Sequence, residues 1–149
     1  MDAEDIVTNP VIRAELEALI AEHAYRVDFC CSENLAELYT EDGRFVLPSG
    51  TEYVGREGVN AYGRLSAGKS DRRVRHVFTN FRFVMDGPDQ ILGVSFVTLY
   101  RTQHRDTAPP EAVALADAKD IYRRCPDGRW RIYERRIEVV FETDEHRQG

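Results

Sequence analysis

The pattern of apolar residues changes its period near the middle of the chain. Before residue 70 they recur at helical spacing, and after it come long runs rich in β-branched and aromatic residues. These runs extend roughly from Val74 to Met85, from Ile91 to Arg101, from Val113 to Arg124 and from Trp130 to Phe141. The segments between them are Asp86-Gly87-Pro88-Asp89, a loop around Thr107-Ala108-Pro109-Pro110, and Pro126-Asp127-Gly128. The first and last of these segments are strong hairpin signals, so the second half of the chain predicts an antiparallel sheet.

The first half of the chain predicts three helices. The first runs from Pro10 to about Cys31, and a shorter one follows from an N-cap at Ser32 through Tyr39. Thr40-Glu41-Asp42-Gly43 then predicts a break, Arg44 to Leu47 a strand, and the segment after Gly55 a third helix. Helices followed by a sheet describe an α+β domain in which the helices cover one face of a curved sheet. A pocket is expected between the two layers.

Length and charge exclude several classes of protein. The 149 residues predict one domain, spanning 1–149. A net charge of −6 with dispersed arginines argues against a nucleic-acid partner. No run is apolar for long enough to span a membrane and the N-terminus is acidic, so we expect a cytoplasmic protein without a membrane partner. The spacing of Cys30, Cys31 and Cys125 predicts neither a disulfide framework nor a metal site.

Asp28 lies where an acidic residue is unusual. Leu16, Ile20, Ala24 and Asp28 follow one another at i, i+4 spacing, which places the carboxylate on the core-facing side of the first helix. An unpaired charge would be costly there, so Asp28 needs a partner. His76, inside the first β-rich run, is the most chemically useful candidate.

Several segments of the chain carry a family resemblance. They are Leu35-Ala36-Glu37-Leu38-Tyr39-Thr40-Glu41-Asp42-Gly43-Arg44-Phe45, Tyr53-Val54-Gly55-Arg56-Glu57-Gly58-Val59, Arg75-His76-Val77-Phe78-Thr79-Asn80 and Gly128-Arg129-Trp130-Arg131-Ile132. Together with the order of elements, they resemble the SnoaL-like branch of the nuclear-transport-factor-2-like superfamily. The resemblance implies a cone-shaped α+β barrel, with three N-terminal helices packed on a curved, mainly antiparallel sheet.

The resemblance also implies a choice of activities. The superfamily contains dehydratases, isomerases, polyketide cyclases, dehydrochlorinases, β subunits of ring-hydroxylating dioxygenases and members without known catalysis. Scytalone dehydratase and the hexachlorocyclohexane dehydrochlorinase use an Asp of the first helix to orient a His on the sheet. Asp28 and His76 fall at those two positions, which makes them the candidate catalytic residues.

An Asp–His pair in an apolar pocket suits acid/base chemistry without a cofactor. Imidazole has a reference pKa of about 6.5, and a carboxylate at Nδ1–H leaves Nε2 free to accept a proton. We therefore expect a dehydratase, isomerase or cyclase acting on a small, largely apolar molecule. The alternative is that the bond only ties helix to sheet. The protein would then be a non-catalytic small-molecule binding module, or a β-subunit-like partner of an aromatic-ring dioxygenase.

Other residues are candidates for binding the substrate. Phe78 and Asn80 share the strand parity of His76, and Asn80 could donate to a developing oxyanion or form a strand-edge hydrogen bond. Small side chains at Ala116 and Ala118 leave room for a ligand or for a closely packed helix. Aromatic candidates for the pocket wall, or for plain core, are Tyr25, Tyr39, Phe45 and Tyr53. Tyr133, Arg135 and Arg136 are weaker candidates, since solvated strand faces are the commoner fate, and His23 has no recognisable partner.

Apolar residues occur at both strand parities of the first β-rich run. One face of the sheet would therefore be apolar even after the helices have covered the other. This pattern predicts a homodimer or homotrimer.

Overall fold

A mixed sheet and three α-helices make up the part of the chain that the computed structural model describes, residues 5–29, 31–68, 73–102 and 111–148. The helices are α1 (Pro10–Asp28), α2 (Gly55–Ala67) and α3 (Asp144–Gln148), and a 3₁₀ turn covers Leu35–Leu38. The strands are β1 (Tyr39–Val46), β2 (Glu52–Val54), β3 (Arg73–Met85), β4 (Gln90–Thr102), β5 (Ala112–Arg124) and β6 (Trp130–Glu142).

The six strands form one curved sheet in the order β2-β1-β6-β5-β4-β3. Only the pairing of β1 with β6 is parallel, and all the other neighbouring strands are antiparallel. The sheet does not close on itself, so β2 and β3 are its edges. The predicted α+β class and the mainly antiparallel sheet are confirmed.

The long strands follow the hydrophobic pattern closely. The observed ends of β3, β4, β5 and β6 differ by at most one residue from the predicted runs. Local signals were sufficient here because each run is bounded by turn residues and alternates more exposed with less exposed side chains over much of its length. Cys30, at the predicted end of the first helix, and the predicted loop at Thr107-Ala108-Pro109-Pro110 lie outside the described residues.

The predicted second helix is confirmed as a short 3₁₀ helix, but its predicted end at Tyr39 is wrong. Only Leu35–Leu38 form a 3₁₀ turn, and β1 begins at Tyr39, where the sequence predicted helix and then a break. The cause is non-local, because Tyr39 pairs with Ile132 of β6 and a register irregularity before Arg44 absorbs the intervening residues. Ser32 does not cap a helix either, since its buried hydroxyl donates to the Gly63 carbonyl of α2 at 2.7 Å.

Helix α1 is fixed at both ends. Asn9 caps its first turn by accepting from the backbone N–H groups of Val11 and Ile12 at 3.0 and 3.2 Å. One stripe of the helix is buried in the core, formed by Leu16, Ile20, His23 and Val27. At the other end, Arg26 donates to the Asn34 carbonyl at 2.8 Å. The last residue of α1, Asp28, contacts the edge strand β3 through its own side chain.

Candidate active site

Asp28 and His76 are in contact. Oδ1 of Asp28 accepts from Nδ1 of His76 at 2.5 Å, and Oδ2 accepts from the backbone N–H of the same residue at 2.7 Å. The Asp28 side chain is 5% exposed and the His76 side chain is 27% exposed. One carboxylate therefore fixes both the main chain and the ring of the histidine, while the ring keeps access to solvent.

The position of β3 at the sheet edge explains the main-chain bond. An edge strand has N–H groups on its outer side that no neighbouring strand accepts. Asp28 takes one of them at the His76 end of β3, and at the other end Val7 donates its N–H to the Phe83 carbonyl at 2.9 Å. An anion at the C-terminus of a helix is disfavoured by about 0.3–1 kcal/mol, and the two hydrogen bonds offset this cost.

The ring contact has a chemical consequence. A carboxylate oxygen accepts hydrogen bonds, so Nδ1 carries the proton in this geometry, and the neutral ring has its lone pair at Nε2. The Nε2 atom can then accept a proton from a bound molecule. The carboxylate stabilises the resulting imidazolium.

A cavity lies between the helices and the inner face of the sheet. Its volume is about 50 Å³. The residues that line it are His23, Ala24, Val27, Phe45, Tyr62, His76, Phe78, Val97, Arg135 and Ile137. Most of this wall is apolar, and its polar groups come from α1, α2, β3 and β6.

Arg135 is the cation of this cavity. It is 1% exposed, and its Nε and Nη2 atoms donate to the two carboxylate oxygens of Asp120 at 2.9 and 2.8 Å. Burial alone would lower the pKa of Arg135, but the Asp120 carboxylate outweighs this effect and the pKa is raised, so the guanidinium stays charged. The guanidinium also lies over the Phe78 ring, 5.1 Å from the ring centroid. Nη1 is buried and has no hydrogen-bond partner among the described residues.

A second buried histidine lies on the helix side of the cavity. Nε2 of His23 is hydrogen-bonded to the Tyr39 hydroxyl at 2.8 Å. Burial lowers the pKa of His23 well below its usual value, and the charge of Arg135 and the nearby His76 and Arg26 add to this effect. Burial likewise raises the pKa of the Tyr39 phenol. This pair therefore stays neutral at physiological pH.

The predicted wall residues fall into two groups. Phe45 and Phe78 line the cavity. The expectation is wrong for Tyr25, which is 51% exposed and stacks on Phe29 with centroids 4.7 Å apart. Tyr53 packs against Tyr62, with centroids 5.3 Å apart, and lies outside the cavity lining. Ala116 and Ala118 are buried on the inner face of β5 but are not part of the cavity wall.

The prediction for Asn80 is also wrong. The pairing of β3 with β4 shifts register between Thr79 and Arg82, and Asn80 has a left-handed φ of 57°. This bulge interrupts the alternation of side chains, so that Asn80 is exposed and Phe81 packs against the core instead. Asn80 therefore cannot donate to a group in this cavity.

Sequence reasoning named Arg135 only as a weaker candidate for substrate binding and gave His23 no role. His23 lies on the same helical stripe as Leu16 and Ile20, and this was the signal that it is buried. Arg135 faces Asp120 only because of the register between β5 and β6, and the sequence pattern does not fix that register. Both residues belong to the candidate site.

Nowhere in the described residues do three or more His, Cys, Asp or Glu side chains cluster as metal ligands would. No described helix combines the length and the apolar character needed to cross a membrane.

Fold and site together define a protein with a cone-shaped α+β fold and an Asp–His pair in an inner cavity. A family model described as a SnoaL-like domain matches residues 12–136, and the chain belongs to this family. A search of curated proteins finds no match to the sequence.

Solved structures share the fold. ActVI-ORFA from Streptomyces coelicolor is 21% identical with a TM-score of 0.76, over 87% of this chain and 97% of the other. A candidate scytalone dehydratase from Novosphingobium aromaticivorans is 20% identical with a TM-score of 0.76, over 92% and 89%. A protein of unknown function from Mycobacterium tuberculosis is 25% identical with a TM-score of 0.74, over 91% and 75%.

Proposed function

We propose that the protein is a cofactor-independent general acid/base enzyme, a dehydratase, isomerase or cyclase, whose catalytic pair is Asp28 and His76. The observation that carries the proposal is the double hydrogen bond of one carboxylate to the ring and main chain of His76, at the wall of an internal cavity. This arrangement fixes the tautomer and the direction of the base. A base fixed in this way needs no reorganisation during the reaction.

The chemical step follows from the tautomer. Nε2 of His76 removes a proton from a carbon next to a carbonyl or leaving group, and Asp28 stabilises the imidazolium. The imidazolium then returns the proton. Return to a departing hydroxyl completes an elimination with loss of water, and return to a different carbon completes an isomerisation.

The cavity sets the kind of substrate. Its apolar wall, which includes Val27, Phe45 and Val97, favours a largely apolar molecule. Pockets for small molecules have volumes of about 300–1,000 Å³, whereas this cavity has a volume of about 50 Å³, so a bound substrate must also occupy its open mouth.

A small-molecule binding module, or a β-subunit-like partner of a larger enzyme, is the second candidate. The bond from Asp28 to the His76 main chain favours it, because such a bond anchors α1 to an edge strand whether or not the ring reacts. In that case His76 would be a structural residue of a ligand pocket.

Exchange of carbon-bound hydrogen separates the two candidates. Wild-type protein is incubated in deuterium oxide with a panel of small ketones, and incorporation of deuterium next to the carbonyl is followed by NMR. His76→Gln can still hydrogen-bond to Asp28, so its melting temperature should change little while exchange falls by at least ~100-fold. His146→Gln, on α3 and outside the cavity lining, is the matched control and should exchange like wild type. Equal exchange by wild type and His76→Gln would exclude the proposed base, and ketone binding without any exchange would support the binding module.

A further inference from the structure

A second groove lies outside the inner cavity, at the end of the sheet where a hairpin joins β5 to β6. Its volume is about 880 Å³, within the range of about 300–1,000 Å³ that is usual for small-molecule pockets. None of the described residues that line it also lines the cavity at His76. Arginine is the most frequent residue in the described part of its wall, which contains Arg56, Arg123, Arg124, Arg129 and Arg131.

Neighbouring carboxylates neutralise two of these arginines. Nη1 and Nη2 of Arg131 donate to the two carboxylate oxygens of Asp127 at 3.0 and 2.7 Å. Nη2 of Arg124 donates to Oδ1 of Asp89 at 2.6 Å. Neither arginine therefore adds a surplus charge to the groove.

The other three arginines have no carboxylate partner within the described part of the chain. Arg56, in the first turn of α2, and Arg129, in the hairpin, are exposed, and their guanidinium groups make no hydrogen bond there. Arg123 donates to the amide oxygen of Gln90 at 3.0 Å, and its Cζ lies 3.4 Å from the centroid of the Tyr133 ring. Both partners of Arg123 are neutral, so all three arginines keep an unpaired charge.

The acidic residues of the wall do not balance these charges. Glu37 pairs with Arg26 at 2.9 Å, and Asp127 pairs with Arg131, which leaves Glu41 as the acidic wall residue without an ion pair among the described residues. Three unpaired arginines and one unpaired carboxylate give the groove a surplus of two positive charges. The whole chain has a net charge of −6 and repels anions in general, so this surplus marks a place where an anion can be held.

The surplus indicates which kind of anion suits the groove. Guanidinium groups form bidentate hydrogen bonds to phosphate and carboxylate oxygens. A phosphate monoester carries a charge of about −1.5 to −2 at pH 7 and has three terminal oxygens, so it can accept from two guanidinium groups and match the surplus. A single carboxylate brings one charge and would leave half of the surplus uncompensated.

We propose that this groove is a second ligand site, which binds a small organic phosphate monoester through Arg56 and Arg129. Arg123 adds its positive charge from β5, whereas the carboxylate of Glu41 opposes the ligand. The site is separate from the proposed acid/base pair, and its presence does not depend on that function.

Phenyl phosphate is the probe for this site, and isothermal titration calorimetry at constant ionic strength measures its Kd. Wild type should bind it saturably, with one site per chain. Arg56→Gln and Arg129→Gln should each raise the Kd by at least ~10-fold, because each removes a charge-assisted hydrogen bond to the phosphate. Both side chains are exposed, so the two variants should fold like wild type.

Two further variants separate a site from an effect of net charge. Arg82→Gln removes the same charge from an exposed arginine of β3 that is not part of the groove wall, and it should leave the Kd unchanged. Glu41→Gln removes the opposing carboxylate and should lower the Kd by about 2–5-fold. Benzoate has the same ring but one charge, and should bind wild type at least ~10-fold more weakly than phenyl phosphate.

The absence of saturable binding at millimolar phenyl phosphate would overturn the inference. The same conclusion would follow if Arg82→Gln weakened binding as much as Arg129→Gln, since any surface charge would then suffice. Equal affinities for benzoate and phenyl phosphate would overturn the assignment of the ligand as a phosphate monoester.

Discussion

The substitution Asp28→Asn replaces one acceptor oxygen by an NH₂ donor with almost no change in shape. The backbone N–H of His76 can only donate, so the amide oxygen must take the place of Oδ2, 2.7 Å from that nitrogen. The NH₂ group then faces Nδ1, where Oδ1 lies at 2.5 Å in wild type. Nδ1 must become the acceptor, and the ring proton moves to Nε2. The variant therefore keeps both contacts but loses the base.

The size of both effects follows from these bonds. Hydrogen bonds to a charged group contribute about 1.5–3 kcal/mol and neutral ones about 0.5–1.5 kcal/mol, so two of them lose about 2 kcal/mol of unfolding free energy in all. In the other orientation of the amide, its NH₂ group would face the backbone N–H of His76, so two donors would oppose each other at a side chain that is 5% exposed. This orientation would cost about 1–3 kcal/mol more of unfolding free energy. Exchange of ketone protons should fall by about 10²–10⁴-fold, because no ring nitrogen can accept a proton.

Urea denaturation and the deuterium exchange of acetophenone measure the two quantities, with exchange followed where the variant remains folded. The control is Asp89→Asn, which makes the same change at an exposed carboxylate that accepts from Arg124 at 2.6 Å. It should change stability by less than about 0.5 kcal/mol and leave exchange unaltered. Wild-type exchange rates in Asp28→Asn would refute the assignment of His76 as the base.

Three other predictions concern stability and assembly. The pKa of His23 is lowered by burial, so its contribution to stability is complete above about pH 6.5 and is lost below it, as the unfolded chain binds a proton that the folded chain does not. As the pH decreases below about 6.5, the unfolding free energy of the wild type should therefore fall more steeply than that of His23→Gln, by up to about 1.4 kcal/mol for each pH unit. Parallel plots of unfolding free energy against pH for the two proteins would contradict this. A methyl group at Gly63 would collide with the Ser32 carbonyl, so Gly63→Ala should lower the unfolding free energy measured in urea titrations by about 1–3 kcal/mol. The control Gly68→Ala should not lower it. Equal losses of unfolding free energy in the two variants would refute the close contact at Gly63. We also propose a homodimer or homotrimer formed through the outer face of the sheet, where Val77, Phe96 and Phe141 are exposed; sedimentation at micromolar concentration should show little monomer, and a uniform monomer would contradict the proposal.

Sequence reasoning succeeded where the signal was local. The ends of β3 to β6 could be predicted because alternating burial and turn residues coincide, and the burial of Asp28 followed from its i, i+4 spacing to Leu16. It failed where distant segments decide the outcome. Parallel pairing with β6 turned the predicted end of a helix at Tyr39 into a strand.

The same distinction holds within the site. The contact between Asp28 and His76 could be predicted from the sequence, because a buried carboxylate requires a hydrogen-bond donor and the family resemblance indicated His76 as that donor. The bulge at Asn80 could not be predicted from the sequence. A single residue with a left-handed φ reverses the side-chain alternation of the strand there, and no glycine marks the position. The burial of Arg135 depends on Asp120 lying opposite it across two strands.

The most direct test of the central claim is the tautomer of His76. Long-range ¹H–¹⁵N NMR of uniformly ¹⁵N-labelled protein near neutral pH, with His76→Gln for assignment, reports which ring nitrogen carries the proton. The account predicts a proton on Nδ1, shifted strongly downfield by its bond to Asp28, and an unprotonated Nε2. A ring protonated at Nε2 would contradict it, because that nitrogen could not accept a proton from a substrate.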